Sequence, residues 1–166
     1  MITVKDVLQN KPRGAFIYKI MYNKEIPFYV GMSLRDIQAR FKTHMAKYYG
    51  EKKYPDRERC QEVVTEHEDL RFKCTGRQTH GYRTIREIFR KHDIDFDFFN
   101  ADVELVQLSS NPLNDYGTDL AVLTGTSMPF TNKFEIERME TDIIARTVPL
   151  ANDESVHLAE KRLKKV

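Results

Sequence analysis

Phe16-Ile17-Tyr18-Lys19-Ile20, Phe28-Tyr29-Val30-Gly31-Met32-Ser33 and Arg40-Phe41-Lys42-Thr43-His44 follow one another early in the chain and decide its fold. The first is β-branched, aromatic and apolar, which predicts a strand over Ala15 to Met21. Ile26 to Val30 reads as a second strand, ended by Gly31. Tyr22-Asn23-Lys24-Glu25 between them suits a tight turn, so the pair is an antiparallel hairpin. A helix is predicted from about Leu34 to Tyr48. Leu34, Ile37, Phe41 and Met45 form its core stripe, and Arg40, His44 and Tyr48 line one neighbouring edge.

Working outward, residues 1–13 read as a short helical or irregular lead-in. Residues 56–68 read as a polar helix, and Leu70 to Cys74 as a minor strand. Tyr82 to His92 is predicted helical, with Ile85, Ile88, Phe89 and His92 inward and Arg83, Arg86 and Arg90 outward. Asp102 to Leu108 is a strand, Lys133 to Thr147 a helix, and 153–165 a final polar helix. Residues 109–131 form a long connection carrying the apolar piece Leu120 to Leu123; a loop this long in a compact domain is expected to be functional, with binding of a protein partner as one alternative. The fold class is α+β in one domain, 1–166: a small three-stranded antiparallel sheet flanked by helices, with insertions at about 49–81 and 109–131.

Composition excludes several classes. The chain is 40% hydrophobic and 31% charged, ordinary for a globular domain, with no apolar run of membrane-spanning length. Two cysteines are too few for a secreted disulfide framework, so a reducing, cytoplasmic setting is expected. Charge is lopsided: residues 1–92 carry +9 and 93–166 carry −7. Either the halves neutralise each other in the fold, or the first half presents a basic surface to a polyanion.

One carboxylate breaks the helical pattern. Ile136, Met139, Ile143, Ile144 and Thr147 share an arc of the helix 133–147, and Glu140 lies inside it. An ionised carboxylate there is costly unless paired or bound to metal. It is either a buried salt bridge, with Arg40 as partner, or a glutamate at the arc's margin, or a metal ligand or catalytic carboxylate at the core's rim. Cys60, His67, Cys74 and His80 are four zinc-ligand candidates, but without the close pairing of structural zinc sites.

With these residues in hand, the chain resembles the GIY-YIG nucleases. Phe16-Ile17-Tyr18 and Tyr29-Val30-Gly31 correspond to the two named tripeptides, with Phe16 where the family's name has Gly. Arg40 and His44 match the helix that follows, the arginine one residue later than in the commonest form. Glu140, Ile143-Ile144, Pro149 and Asn152 are similar to the end of the UvrC-type nuclease domain. The likeness covers about 14–48, 82–108 and 132–152.

What the resemblance implies is a metal-dependent DNA endonuclease, site-specific in the manner of restriction, phage or homing enzymes, leaving 3′-OH and 5′-phosphate. The alternatives are a repair-type structure-selective nickase and a catalytically silent DNA-binding module. The implied catalytic residues are Tyr18, Tyr29, Arg40, His44 and Glu140, with Glu140 holding Mg²⁺ or Mn²⁺. Tyr18 would take the proton from water, with His44 bonded to it as its base, because tyrosine is a poor base alone. Gly31, Ser33 and Asn152 support that site. Double-stranded DNA is the implied partner, contacted by Lys42, Lys47, Lys52, Lys53, Arg57, Arg83, Arg86 and Arg90. A homodimer would allow both strands to be cut.

Overall fold

The computed structural model describes residues 2–49, 79–113 and 133–164, together with 58, 61, 62 and 65. Lys52, Lys53, Arg57, Cys60, His67 and Cys74 lie outside the described residues, as do the strand expected at 70–74 and the Leu120–Leu123 piece.

The lead-in holds two elements. Strand β1 (Ile2–Thr3) is followed by helix α1 (Val4–Asn10). Thr3 and Asp6 close a capping box, Thr3 Oγ1 accepting from Asp6 N and Asp6 Oδ2 from Thr3 N. Next come β2 (Ala15–Met21), β3 (Pro27–Ser33), α2 (Ile37–Tyr49), α3 (His80–Lys91), β4 (Asp102–Ser109), α4 (Lys133–Thr147) and α5 (Ala159–Leu163). The fold is α+β. Its antiparallel sheet has four strands in the order β1-β4-β2-β3, not the expected three. The extra strand arises because Ile2 and Thr3 pair with Val103 and Asp102 before the capping box turns the chain into α1.

The period of two along the strands divides the sheet into two faces. Phe16, Tyr18 and Ile20 join the larger core with α1, α2 and α3. Ala15, Ile17 and Val30 join a smaller one with Ile136 and Ile144 of α4. In the larger core Phe28 is ringed by Tyr48, Tyr82, Phe89, Phe96 and Phe98, with centroids 4.9–6.2 Å away. Strand β3 is the sheet edge, and the chain after α4 covers it. Val148 turns the backbone at φ 46°, a region β-branched residues rarely enter, and the Arg162 guanidinium donates to the carbonyls of Thr147 and Val148. Leu150 N and Ala151 N then donate to Pro27 O (3.1 Å) and Phe28 O (2.8 Å). An open edge is thereby closed without a further strand.

Two expectations about α3 are corrected. Arg86 is buried, not outward, with its guanidinium 4.3 Å from the Tyr48 ring centroid. It lies four residues after Tyr82 and three before Phe89, on the stripe those two aromatics bury. His92 is not inward. It caps the helix end, and its Nε2 lies 3.0 Å from Glu160 Oε2.

Candidate active site

The hairpin brings two tyrosines to one face. Tyr18 pairs across the ladder with Gly31, and Tyr29 with Ile20. The rings of Tyr18 and Tyr29 stack at 6.4 Å. Gly31 is required by this approach: a Cβ there would lie 2.6 Å from Tyr18 Cζ and 3.0 Å from Tyr29 Cε1. The glycine of the second tripeptide is the space across which the Tyr18 ring lies.

Helix α2 contributes His44 from below the sheet. Ile37, Phe41 and Met45 anchor its buried stripe, and the Phe41 ring meets Tyr18 edge-on at 5.0 Å. His44 is buried, and its Nε2 is 2.6 Å from the Tyr18 hydroxyl. The Tyr29 ring lies 4.5 Å from the imidazole. Burial first, then the charges of Lys47 and Arg40, lowers the His44 pKa to about 3, so the ring is neutral. Tyr18 is pushed well above its ordinary value of 10, chiefly by burial. Tyr29 is raised to about 12, again by burial first and then by the Glu140 charge.

Arg40, one turn before His44, is exposed. Its charge lowers the pKa of Tyr18, Tyr29, Glu140 and His44 alike, so all four lie within its field. It also lines an open cleft of about 390 Å³ with Ser33, Arg35, Asp36 and Thr43. Ser33 is buried there, and among the described residues its Oγ has no hydrogen-bond partner.

Glu140 arrives from the opposite side of the sheet. Helix α4 buries Ile136 and Ile144 against the back face and runs along β3, so the residue midway between them comes to the sheet edge. Glu140 is half-buried. The ion pair with Arg40 is not formed: among the described residues the carboxylate has neither hydrogen bond nor ion pair. Burial, then the charge of Glu154, raises its pKa to about 7 despite Arg40. Among the described residues no three His, Cys, Asp or Glu stand together as a metal cage. A half-buried carboxylate with no bonded partner among the described residues could instead hold a hard divalent ion that keeps most of its shell for water and other oxygens.

Asn152 acts as a clamp. Its Oδ1 accepts from Val30 N (2.9 Å) and its Nδ2 donates to Val30 O (2.8 Å), which fixes β3 between Tyr29 and Gly31. The structure therefore brings together Tyr18, Tyr29, Gly31, Ser33, Arg40 and His44, with Glu140 and Asn152 at the same strand. Tyr48 is not with them: its hydroxyl donates to Phe96 O deep in the core. Lys42 and Lys47 are half-buried on α2, and Arg83 and Arg90 are exposed on α3.

One residue at this site escapes the sequence pattern. Tyr82, at the start of α3, is fully buried with its hydroxyl 2.6 Å from His44 Nδ1. Its signal was a hydroxyl on the apolar stripe Tyr82/Ile85/Phe89, the same kind of misfit that singled out Glu140. No family model matches the chain, and no curated protein and no solved structure matches it.

Proposed function

We propose that this chain is a metal-dependent endodeoxyribonuclease that hydrolyses phosphodiester bonds of double-stranded DNA. The observation that carries this reading is the 2.6 Å contact between Tyr18 and a neutral, buried His44, with Tyr18 in the fields of Arg40 and of Glu140, a carboxylate that has no bonded partner among the described residues. A buried hydroxyl–imidazole bond can serve packing alone; what packing does not require is the Glu140 charge, brought from the far side of the sheet and felt by both Tyr18 and Tyr29.

The chemistry follows from the protonation states. A tyrosine held neutral by burial takes a proton from water only as it gives up its own. His44 Nε2 stands in line for that proton, so water loses its proton to the Tyr18 oxygen while the Tyr18 proton crosses to His44. Arg40, always charged and facing the cleft, would pair with the phosphate oxygens. Tyr29 would orient the water or the phosphate. Glu140 would hold Mg²⁺ or Mn²⁺, which when bound supplies Lewis-acid stabilisation of the leaving 3′-oxygen. Products would be 3′-OH and 5′-phosphate ends. The exposed Arg83 and Arg90 are the described cations of α3 that would meet the DNA backbone.

The test is nicking of supercoiled, unmethylated plasmid in Mg²⁺, with EDTA as control. Glu140→Ala should cut about 10²–10³-fold more slowly, and Tyr18→Phe about 10²–10⁴-fold, both with unchanged circular dichroism. Wild-type protein inert on several DNAs, or near-normal cutting by Glu140→Ala, overturns the assignment. Discrete fragments would mean a recognition sequence, and random nicks a structure-selective or nonspecific enzyme.

A further inference from the structure

We infer that Tyr82 is a positioning residue of the site: its hydroxyl oxygen accepts the Nδ1 proton of His44 and so leaves the Nε2 lone pair facing Tyr18. This deepens the nuclease reading and rests on it for the direction of proton flow.

The geometry is a chain of three buried side chains from three elements. Tyr18 on β2 is 2.6 Å from Nε2, and Tyr82 on α3 is 2.6 Å from Nδ1. Among the described residues each hydroxyl has His44 as its hydrogen-bond partner and no other. A neutral imidazole carries one N–H and one lone pair, so the two bonds cannot run in the same sense. If Tyr18 is to pass its proton to His44, Nε2 must be the bare nitrogen and Nδ1 must carry the hydrogen. The acceptor that His44 has for it is the Tyr82 oxygen.

After transfer the two hydroxyls offset part of the burial cost that keeps the ring neutral at rest. With the Tyr18 proton on Nε2, both imidazolium N–H groups point at tyrosine oxygens, Tyr18 on one side and Tyr82 on the other. The proton count closes: water yields one proton to Tyr18, Tyr18 yields one to Nε2, and the Nδ1 proton stays where it was. The groups facing His44 are Tyr18 from β2, Tyr29 from β3, Tyr82 from α3, and Arg40 and Lys47 from its own helix. Among the described residues none is a carboxylate, so the third member of the relay is a neutral acceptor. A nucleophile's base oriented by a third group is a general device of catalysis.

Tyr82 is itself held in place. Gly81 N donates to Asp153 Oδ1 at 2.6 Å, and a side chain at Gly81 would collide with the Ala151 carbonyl. The same short segment pairs with β3 through Ala151 and Asn152. Strand β3, with Tyr29, and the first turn of α3, with Tyr82, are therefore fixed by one piece of chain.

The experiment is long-range ¹⁵N–¹H NMR of the full-length protein labelled at its five histidines, with His44→Gln used for assignment. The wild type should show His44 as the Nδ1–H tautomer from pH 5 to 8. Tyr82→Phe, which keeps the ring and removes the oxygen, should convert it to Nε2–H. The same variant should lower kcat for DNA cleavage about 10–100-fold with KM within about twofold. A wild-type Nε2–H tautomer overturns the inference, as does a Tyr82→Phe enzyme with unaltered kcat. If Tyr82→Phe does not fold, the wild-type tautomer alone decides. If the wild type cuts no DNA, the nuclease reading falls, while the tautomer in wild type and variant still decides whether Tyr82 sets it.

Discussion

On the α2 side of the site, His44 has both ring nitrogens hydrogen-bonded to buried hydroxyls. On the α4 side, Glu140 is half-buried and has no bonded partner among the described residues. Both groups are misfits for a core, yet the protein treats them in opposite ways. It satisfies the imidazole completely and keeps it neutral. It leaves the carboxylate unsatisfied and facing a cation, Arg40, that does not reach it. The difference teaches that one fold can seal one polar misfit with protein bonds and leave another without them. On the nuclease reading, the groups that would move protons are fixed by protein bonds, and those that would meet an ion or a phosphate are left open.

Titration should separate the two halves most sharply. The His44 pKa is about 3 when folded against 6.5 unfolded, so the unfolded chain binds the extra proton between those values and stability falls as pH drops through them. The full effect at low pH is about 5 kcal/mol. Glu140 runs the other way. Its pKa is about 7 when folded against 4.5 unfolded, so the folded chain binds the extra proton and stability falls as pH rises through that window. Thermal unfolding in EDTA from pH 3 to 8 checks both. His44→Gln should flatten the acid limb relative to wild type, and Glu140→Gln should raise Tm at pH 8 and leave it unchanged at pH 4. Identical pH slopes in all three proteins would erase the contrast.

Gly31→Ala tests the sealed half by sterics alone. A methyl group must displace the Tyr18 ring, at about 1–3 kcal/mol and with loss of cleavage. An unchanged Tm, measured by calorimetry, would mean that the ring is not held where the ladder puts it.

The smallest effects concern α3, where one helix carries arginines of both kinds. Arg86→Ala should destabilise by about 2 kcal/mol, since its guanidinium lies desolvated over Tyr48. Arg83→Ala should leave Tm alone and reduce the salt dependence of DNA binding by about one unit of slope. A reversal of these two outcomes would return Arg86 to the surface.

Much of this was legible in the sequence. Strand β2 and helix α4 run over the residues their patterns predicted, because β-branched runs and 3.6-residue stripes are local signals. Tyr18, Tyr29, Arg40 and His44 could be read as one group because a hairpin and the next helix bring them together within a short span of chain. Glu140 was visible as a carboxylate on an apolar arc. By the same criterion Arg86 and Tyr82 were visible too, since each lies on the stripe of Phe89, but their polar tips had no evident destination.

Those destinations are what only the tertiary structure decided. That Arg86 ends over Tyr48, that Glu140 rounds the sheet edge without reaching Arg40, and that Tyr82 closes on His44 Nδ1 all depend on which helix packs on which face. The second bond of His44 joins residues 38 apart in sequence, and the clamp of Asn152 on Val30 joins residues 122 apart. Periodicity tells a residue which way it faces on its own element. What it faces is set by packing between elements, and a sequence stripe carries no record of that.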